Sequence, residues 1–216
     1  MNIKKNLKIL SIDKKVRGTT LIETLIILAM ISFLYIAGVE GYNSFRKYNL
    51  ATETLRIAKI LIKNAKYQTR TIRQEPGEYV YAIGVRLYED SQGQWAFEAV
   101  KYVDTVTYEP GYLPYPHGTL SSLNVRTTVS NNEADSIEKI SVDQFLTPTI
   151  WYGNSLSACH DLYIFFEVPV GAVHYYCRSG QSLNPLSTGI QSVGIGFTTL
   201  GSTRLIVTKL ADIYIR

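Results

Sequence analysis

At 216 residues, 46% hydrophobic and 12% aromatic, the chain has the composition of a globular domain with an appendage, which excludes a disordered or low-complexity protein. Its formal net charge of +4 is unevenly placed: residues 1–18 hold six of the 22 Lys and Arg side chains against the single Asp13, residues 19–74 hold eight basic and three acidic groups, and residues 75–216 hold eight basic and fourteen acidic ones. An acidic head of this kind argues against phosphate-driven nucleic-acid binding, which needs clustered Lys and Arg.

The basic leader (Lys4, Lys5, Lys8, Lys14, Lys15, Arg17) ends at Gly18, and from Thr19 to Val39 follow 21 residues with a single charged side chain, Glu23. That length is close to the ~20 residues needed to cross a bilayer. A secretory signal carries its small-residue cleavage site after the apolar run, whereas Gly18 precedes the run and no clean site follows it. The positive-inside rule places the leader in the cytoplasm and exports everything after residue 40. An ionised side chain in hydrocarbon costs roughly 2.5 to 3.5 kcal/mol at a helix centre, so Glu23 marks a site that needs a partner.

Basic leader, Gly18, Thr19-Thr20, then Leu21-Ile22-Glu23 and an apolar helix: over residues 10–45 the chain resembles the type IV pilins and the pseudopilins of type II secretion. The resemblance implies cleavage between Gly18 and Thr19 by a membrane prepilin peptidase, N-methylation of Thr19, and a role in filament assembly for Glu23, the fifth mature residue. Thr19 stands where that family usually has Phe, and near residue 40 there is Gly38 and Gly41 but no Pro, a pattern that points to a minor rather than a major subunit. Cleavage would create an amine on Thr19, and a buried carboxylate is tolerable when it meets an opposite charge. In a filament Glu23 of one subunit can meet the Thr19 amine of its neighbour and set the register of otherwise slippery helices.

Beyond Gly41 the apolar positions narrow to a stripe, Tyr48, Ala51, Leu55, Ala58, Ile62, Ala65, Thr69 and Ile72, with alternating spacings of 3 and 4. This is helical periodicity, and Pro76-Gly77 ends it. A helix over 19–74 would be about 80 Å long at about 1.5 Å per residue. A coiled-coil dimer also explains such a stripe, but the alternation of large and small residues fits packing on a sheet of the same chain better.

The head reads as strands. Alternation at Tyr79, Tyr81, Ile83, Val85 and Leu87, then at Trp95, Phe97, Ala99 and Lys101, flanks Glu89-Asp90-Ser91-Gln92-Gly93 as a hairpin. Further strands are expected at 103–108, 136–142, 162–168, 172–177, 192–199, 204–210 and 213–215, with turns at Pro169-Val170-Gly171 and Leu200-Gly201-Ser202-Thr203. The stretch 196–207 resembles the closing hairpin of H-type minor pseudopilins. Residues 109–118, rich in Pro, Gly and Tyr, read as an exposed loop or crossover, and the sixteen Tyr residues suit a β-rich surface or interface.

Cys159 and Cys177 are the only cysteines, both on the exported side. Three readings compete: a disulfide contributing about 3 kcal/mol in an oxidising compartment, two free buried thiols, and a zinc set with His160 and His174. Adjacent Cys159 and His160 in a strand would point to opposite faces, which weakens the metal reading. Residues 130–135, Ser-Asn-Asn-Glu-Ala-Asp, offer oxygens for calcium but lack the ligand spacing of a calcium loop and read as a solvated turn. Gly194-Ile195-Gly196 has no following helix to cradle phosphate, and neither a nucleophile elbow nor paired catalytic carboxylates stand out.

The sequence thus predicts an α+β, pilin-like chain: leader 1–18, a long helix over 19–74 divided into a membrane and assembly half (19–39) and an amphipathic stem (40–74), and a β-rich exported head (75–216) packed on the stem. The expected function is structural, a minor pilin or pseudopilin of a type IV pilus or type II secretion-like filament, with no catalytic residue, metal or cofactor. Its expected partners are other such subunits, the prepilin peptidase, an inner-membrane assembly platform and, before assembly, membrane lipid. It would wait in the cytoplasmic membrane as a single-pass protein and then join a periplasmic or cell-surface filament. A membrane-anchored cell-surface binding module is the alternative.

Overall fold

The computed structural model describes residues 20–71, 79–104, 118–127, 139–187, 189–201 and 203–216. Two compact units divide the chain, Met1–Asn43 and Ser44–Arg216.

The helix α1 (Leu21–Thr71) is the one α-helix among the described residues. It falls inside the expected 19–74: Thr20 lies just before its first turn, and Thr19 and residues 72–74 lie outside the described residues. Its part in the first unit is exposed, from Leu21 to Val39. The polar side chains in this run bond locally: the hydroxyls of Thr24 and Ser32 donate to the carbonyls of Thr20 (3.3 Å) and Leu28 (2.8 Å), one turn back. Such back-bonding lets Ser and Thr sit in an apolar environment without an unmet donor.

In the second unit α1 becomes one-sided. Ala51, Leu55, Ala58, Leu61, Ile62, Ala65 and Thr69 are buried. The expected stripe is therefore right from Ala51 to Thr69. It is wrong at Tyr48, which is 50% exposed, and it omitted Leu61, which shares the buried face beside Ile62. Ile72 lies outside the described residues. The stripe packs on antiparallel sheet of the same chain, which accounts for it without a coiled-coil partner.

Among the described residues there are thirteen strands: β1 (Tyr79–Glu89), β2 (Trp95–Asp104), β3 (Leu120–Ser121), β4 (Val125–Thr127), β5 (Lys139–Ser141), β6 (Pro148–Tyr152), β7 (Ser155–Leu156), β8 (Asp161–Glu167), β9 (Val173–Ser179), β10 (Ser182–Pro185), β11 (Ser192–Phe197), β12 (Arg204–Thr208) and β13 (Ile213–Ile215). The larger sheet has the order β3-β10-β9-β8-β1-β2-β4, with β5 also on β2; the smaller has the order β13-β12-β11-β6-β7. Every pairing is antiparallel.

The hairpin β1-β2 forms as expected around the 90–94 turn, whose amides Gln92 and Gln94 donate to the Asp90 carboxylate at 2.9 and 2.8 Å. Val103, expected to open a separate strand, instead belongs to β2. The strand expected over 192–199 ends at Phe197, where a 3-10 turn (Thr198–Leu200) takes over. Strands β3, β4, β6, β7 and β10 were not anticipated; four of them are two to four residues long and too short to show a period.

Two cores result. The main one lies between the α1 stripe, one face of the larger sheet (Ile83, Val85, Leu87, Phe97, Ile164, Phe166) and one face of the smaller (Ile150, Val193, Ile195, Leu205, Val207). The Tyr175 hydroxyl donates to the Val207 carbonyl at 2.9 Å and ties the two sheets, while Lys66 Nζ donates to the Ala211 carbonyl at 2.8 Å and ties the helix to the turn after β12. The second core lies on the other face of the larger sheet and holds Tyr81, Val100, Tyr102, Tyr163, Phe165 and Tyr176. Simple alternation puts Tyr81 beside Ile83. A bulge between Val80 and Ala82 inserts a residue and turns Tyr81 to the opposite side. Several tyrosines are thus core residues, not the surface residues their number suggested.

Candidate functional site

The site that the sequence singles out begins at Thr20, because Gly18 and Thr19 lie outside the described residues. The Thr20 carbonyl accepts the amides of Glu23 (3.0 Å) and Thr24 (3.1 Å), and its hydroxyl also accepts the Glu23 amide (3.3 Å). Thr20 therefore caps α1, and Glu23 is the acid of a Thr-x-x-Glu capping pattern. The first turn of a helix carries partial positive charge, so a carboxylate is favoured there. Glu23 is exposed in the single chain, amid side chains as apolar as Leu21, Ile22 and Leu25. A negative charge is held at a fixed helical position on an otherwise greasy rod.

Cys159 and Cys177 are joined by a disulfide with Cα atoms 5.9 Å apart. It links the segment before β8 to β9, beside the Leu162–Cys177 pair of the ladder. Their histidine neighbours go elsewhere. His160 is exposed beside Glu89 (3.7 Å) and tilts over Trp95, and His174 Nε2 lies 3.2 Å from Glu167 Oε2. Among the described residues no group of three or more His, Cys, Asp or Glu side chains could hold a metal ion. His117 and residues 130–135 lie outside the described residues.

One cluster escaped the sequence. Arg86 donates through Nε and Nη2 to the two Asp161 oxygens at 2.7 and 2.8 Å, faces Glu98 at 3.8 Å, and lies over the Tyr88 ring at 3.9 Å. Arg178 reaches the same carboxylate at 3.6 Å. Burial works against the Arg86 charge, yet the Asp161 hydrogen bonds and charge hold its pKa above the ordinary value. The four charged residues come from β1, β2, β8 and β9, and the only sequence sign was an Arg interrupting an apolar strand. The arrangement closes on itself as a lock across strands rather than presenting a reactive group. In the same cluster, burial and the nearby Asp161 carboxylate push the Tyr163 phenol up to about 12.

That shift carries a sign. Below about pH 10 the phenol is protonated in folded and unfolded chain alike; between about 10 and 12 the unfolded chain loses its proton first, so stability falls as pH rises. Denaturant midpoints should therefore hold steady to about pH 10 and drop above it, with a shallower drop in Tyr163→Phe. An unchanged slope in that variant would remove Tyr163 from the effect.

Gly194 and Gly196 of β11 leave room for the Arg204 side chain. A Cβ on Gly194 would meet Arg204 Cδ at 3.0 Å, and the guanidinium stacks on Trp151 at 4.5 Å. The glycine pair is thus a packing feature of the smaller sheet.

No family model matches the chain, and neither a curated protein nor a solved structure matches it. The features themselves define a chain with one N-terminal helix long and apolar enough to cross a membrane, and antiparallel β-sheets with which the later part of that helix packs.

Proposed function

We propose that the chain is a minor pilin or pseudopilin, a structural subunit that is cut after Gly18, held in the cytoplasmic membrane by its apolar helix, and drawn into a type IV pilus or type II secretion-like filament. The observation that carries this reading is Glu23, one carboxylate in the first turn of an exposed apolar helix directly after a basic leader and Gly18. A lone charge there needs a counter-ion, and cleavage supplies one on the Thr19 amine of a neighbouring subunit. The proposed partners are further copies or related subunits, the prepilin peptidase, the assembly platform and lipid. Thr19 is the proposed site of N-methylation.

Co-expression with a prepilin peptidase should shorten the product by the 18-residue leader and give the amino-terminal sequence Thr-Thr-Leu-Ile-Glu. A chain that stays full length beside a peptidase active on its own substrate would instead be a plain anchored β domain, a surface binding module.

A further inference from the structure

The core takes one face of the stem; the opposite face has a pattern of its own. Arg56, Ile60, Lys63, Tyr67 and Arg70, spaced by 4, 3, 4 and 3, are all exposed, with Tyr67 at 69%. Residues at that spacing share one side of a helix. The Arg56 guanidinium is 3.6 Å from Glu53, and Lys63 and Arg70 stand beside two large exposed side chains, Ile60 and Tyr67. Charge alone would keep such a face in water; Ile60 and Tyr67 among the cations suit a protein partner.

The partner's complement stands on the same chain. Residues 75–216 carry a net negative charge, and the pairings place Glu89, Asp90 and Asp143 at the same end of the larger sheet, where the Val142 amide donates to the Trp95 carbonyl at 2.8 Å. That end is level with the start of the stem, because Lys47 Nζ lies over the Phe145 ring at 6.0 Å. The basic groups bordering it are engaged locally: Lys47 lies over the Phe145 ring, Lys139 over the Tyr88 ring with Asp90 in electrostatic reach, and His160 is 3.7 Å from Glu89. Within one chain the basic face cannot reach this acidic end, since the face begins roughly 14 Å and ends about 35 Å further along the helix at about 1.5 Å per residue.

We propose that the Arg56–Arg70 face of one subunit receives the Glu89–Asp90 turn of a second copy displaced along the helix axis. Two different patches meeting with an axial offset make a head-to-tail contact, which does not close on itself and builds an open filament. The proposal rests on the filament reading above and adds to it a contact surface, outside the membrane, that selects the stagger by charge.

The test uses the full chain carrying Lys63→Cys with Glu89→Cys, expressed with the assembly machinery, sheared from cells and mildly oxidised. Filaments should show a ladder of covalent oligomers, absent in either single variant. As a second variant, Lys63→Glu should lower filament recovery by about tenfold, and adding Glu89→Lys should restore it to within about twofold of the parent. Filaments that form without a ladder, with no rescue by the charge swap, overturn the docking and leave the filament reading intact. Absence of filaments from the unsubstituted chain overturns the filament reading and the docking with it. A Lys63→Cys thiol shielded by anionic vesicles and not by assembly would give the face to lipid and also overturn the proposal.

Discussion

A Glu23→Ala chain is expected to insert and lose its leader normally, yet to enter filaments at roughly one hundredth of the parent's level or less. The scale follows from the proposed pairing: removing one member of a desolvated ion pair costs about 3 to 5 kcal/mol, because the other charge, here the Thr19 amine, is left without a partner. The rest of the helix start survives, since the cap is made by the Thr20 carbonyl and hydroxyl with the Glu23 backbone amide and does not depend on the carboxylate. Glu23→Gln separates charge from shape: it keeps the size and a hydrogen bond but not the ion pair, and should fall with Ala. The measurement is the ratio of sheared filament to membrane-retained subunit, with leader removal scored by mass on the same sample. If Glu23→Ala is recovered in filaments at the parent's level, the pairing mechanism is wrong.

The second large effect lies in the sheet and is independent of assembly. Gly84 sits mid-strand in β1, paired on one side with Val100 of β2 and on the other with Phe165 of β8. A Cβ built there would stand 2.1 Å from the Ile164 carbonyl oxygen and 2.9 Å from its carbon. The obstacle is backbone of the central pairing and has no rotamer by which to yield. Gly84→Ala should therefore cost more than the ~1 to 3 kcal/mol of ordinary overpacking, and lower Tm by about 10 °C or more in a domain of this size. Gly194→Ala is the control. Its nearest obstacle is Arg204 Cδ at 3.0 Å, the flexible part of a side chain that can swing aside, so its cost should stay within about 1 kcal/mol. Equal Tm values for the two variants, measured on the full chain in detergent, would show that the β1–β8 approach is looser than the structure has it.

These two residues also mark what could be read in advance. Glu23 stands out because basic stretch, Gly18, acid and apolar run are neighbours in sequence, and the structure adds its place in the first turn of an exposed apolar helix. The stem was legible for the same reason, its 3 and 4 spacing being a direct record of one buried side. Gly84 announced nothing, since its role arises when residue 164 is brought beside it, and a lone glycine in a strand has many causes. Arg86 was equally silent, because its partners Glu98, Asp161 and Arg178 come from three other strands. The sign of Tyr81 was misread through one inserted residue: a period of two carries no memory across a bulge. Strands of two or three residues, such as β3 and β7, are held by their neighbours' ladders and leave no trace of their own in composition.

The interlocking of the stem with the sheets has a mechanical consequence. Leu55, Ile62 and Ala65 belong to the same core as Val85, Ile164 and Leu205. A pull entering the second unit at Ser44 is therefore borne by the buried stem residues from Ala51 to Thr69, which share one core with both sheets. Peeling the stem away would expose both apolar faces to water at once, and the Lys66 clasp on Ala211 lies toward its far end. The head should accordingly resist traction along the stem as one cooperative block, yielding abruptly rather than unravelling strand by strand.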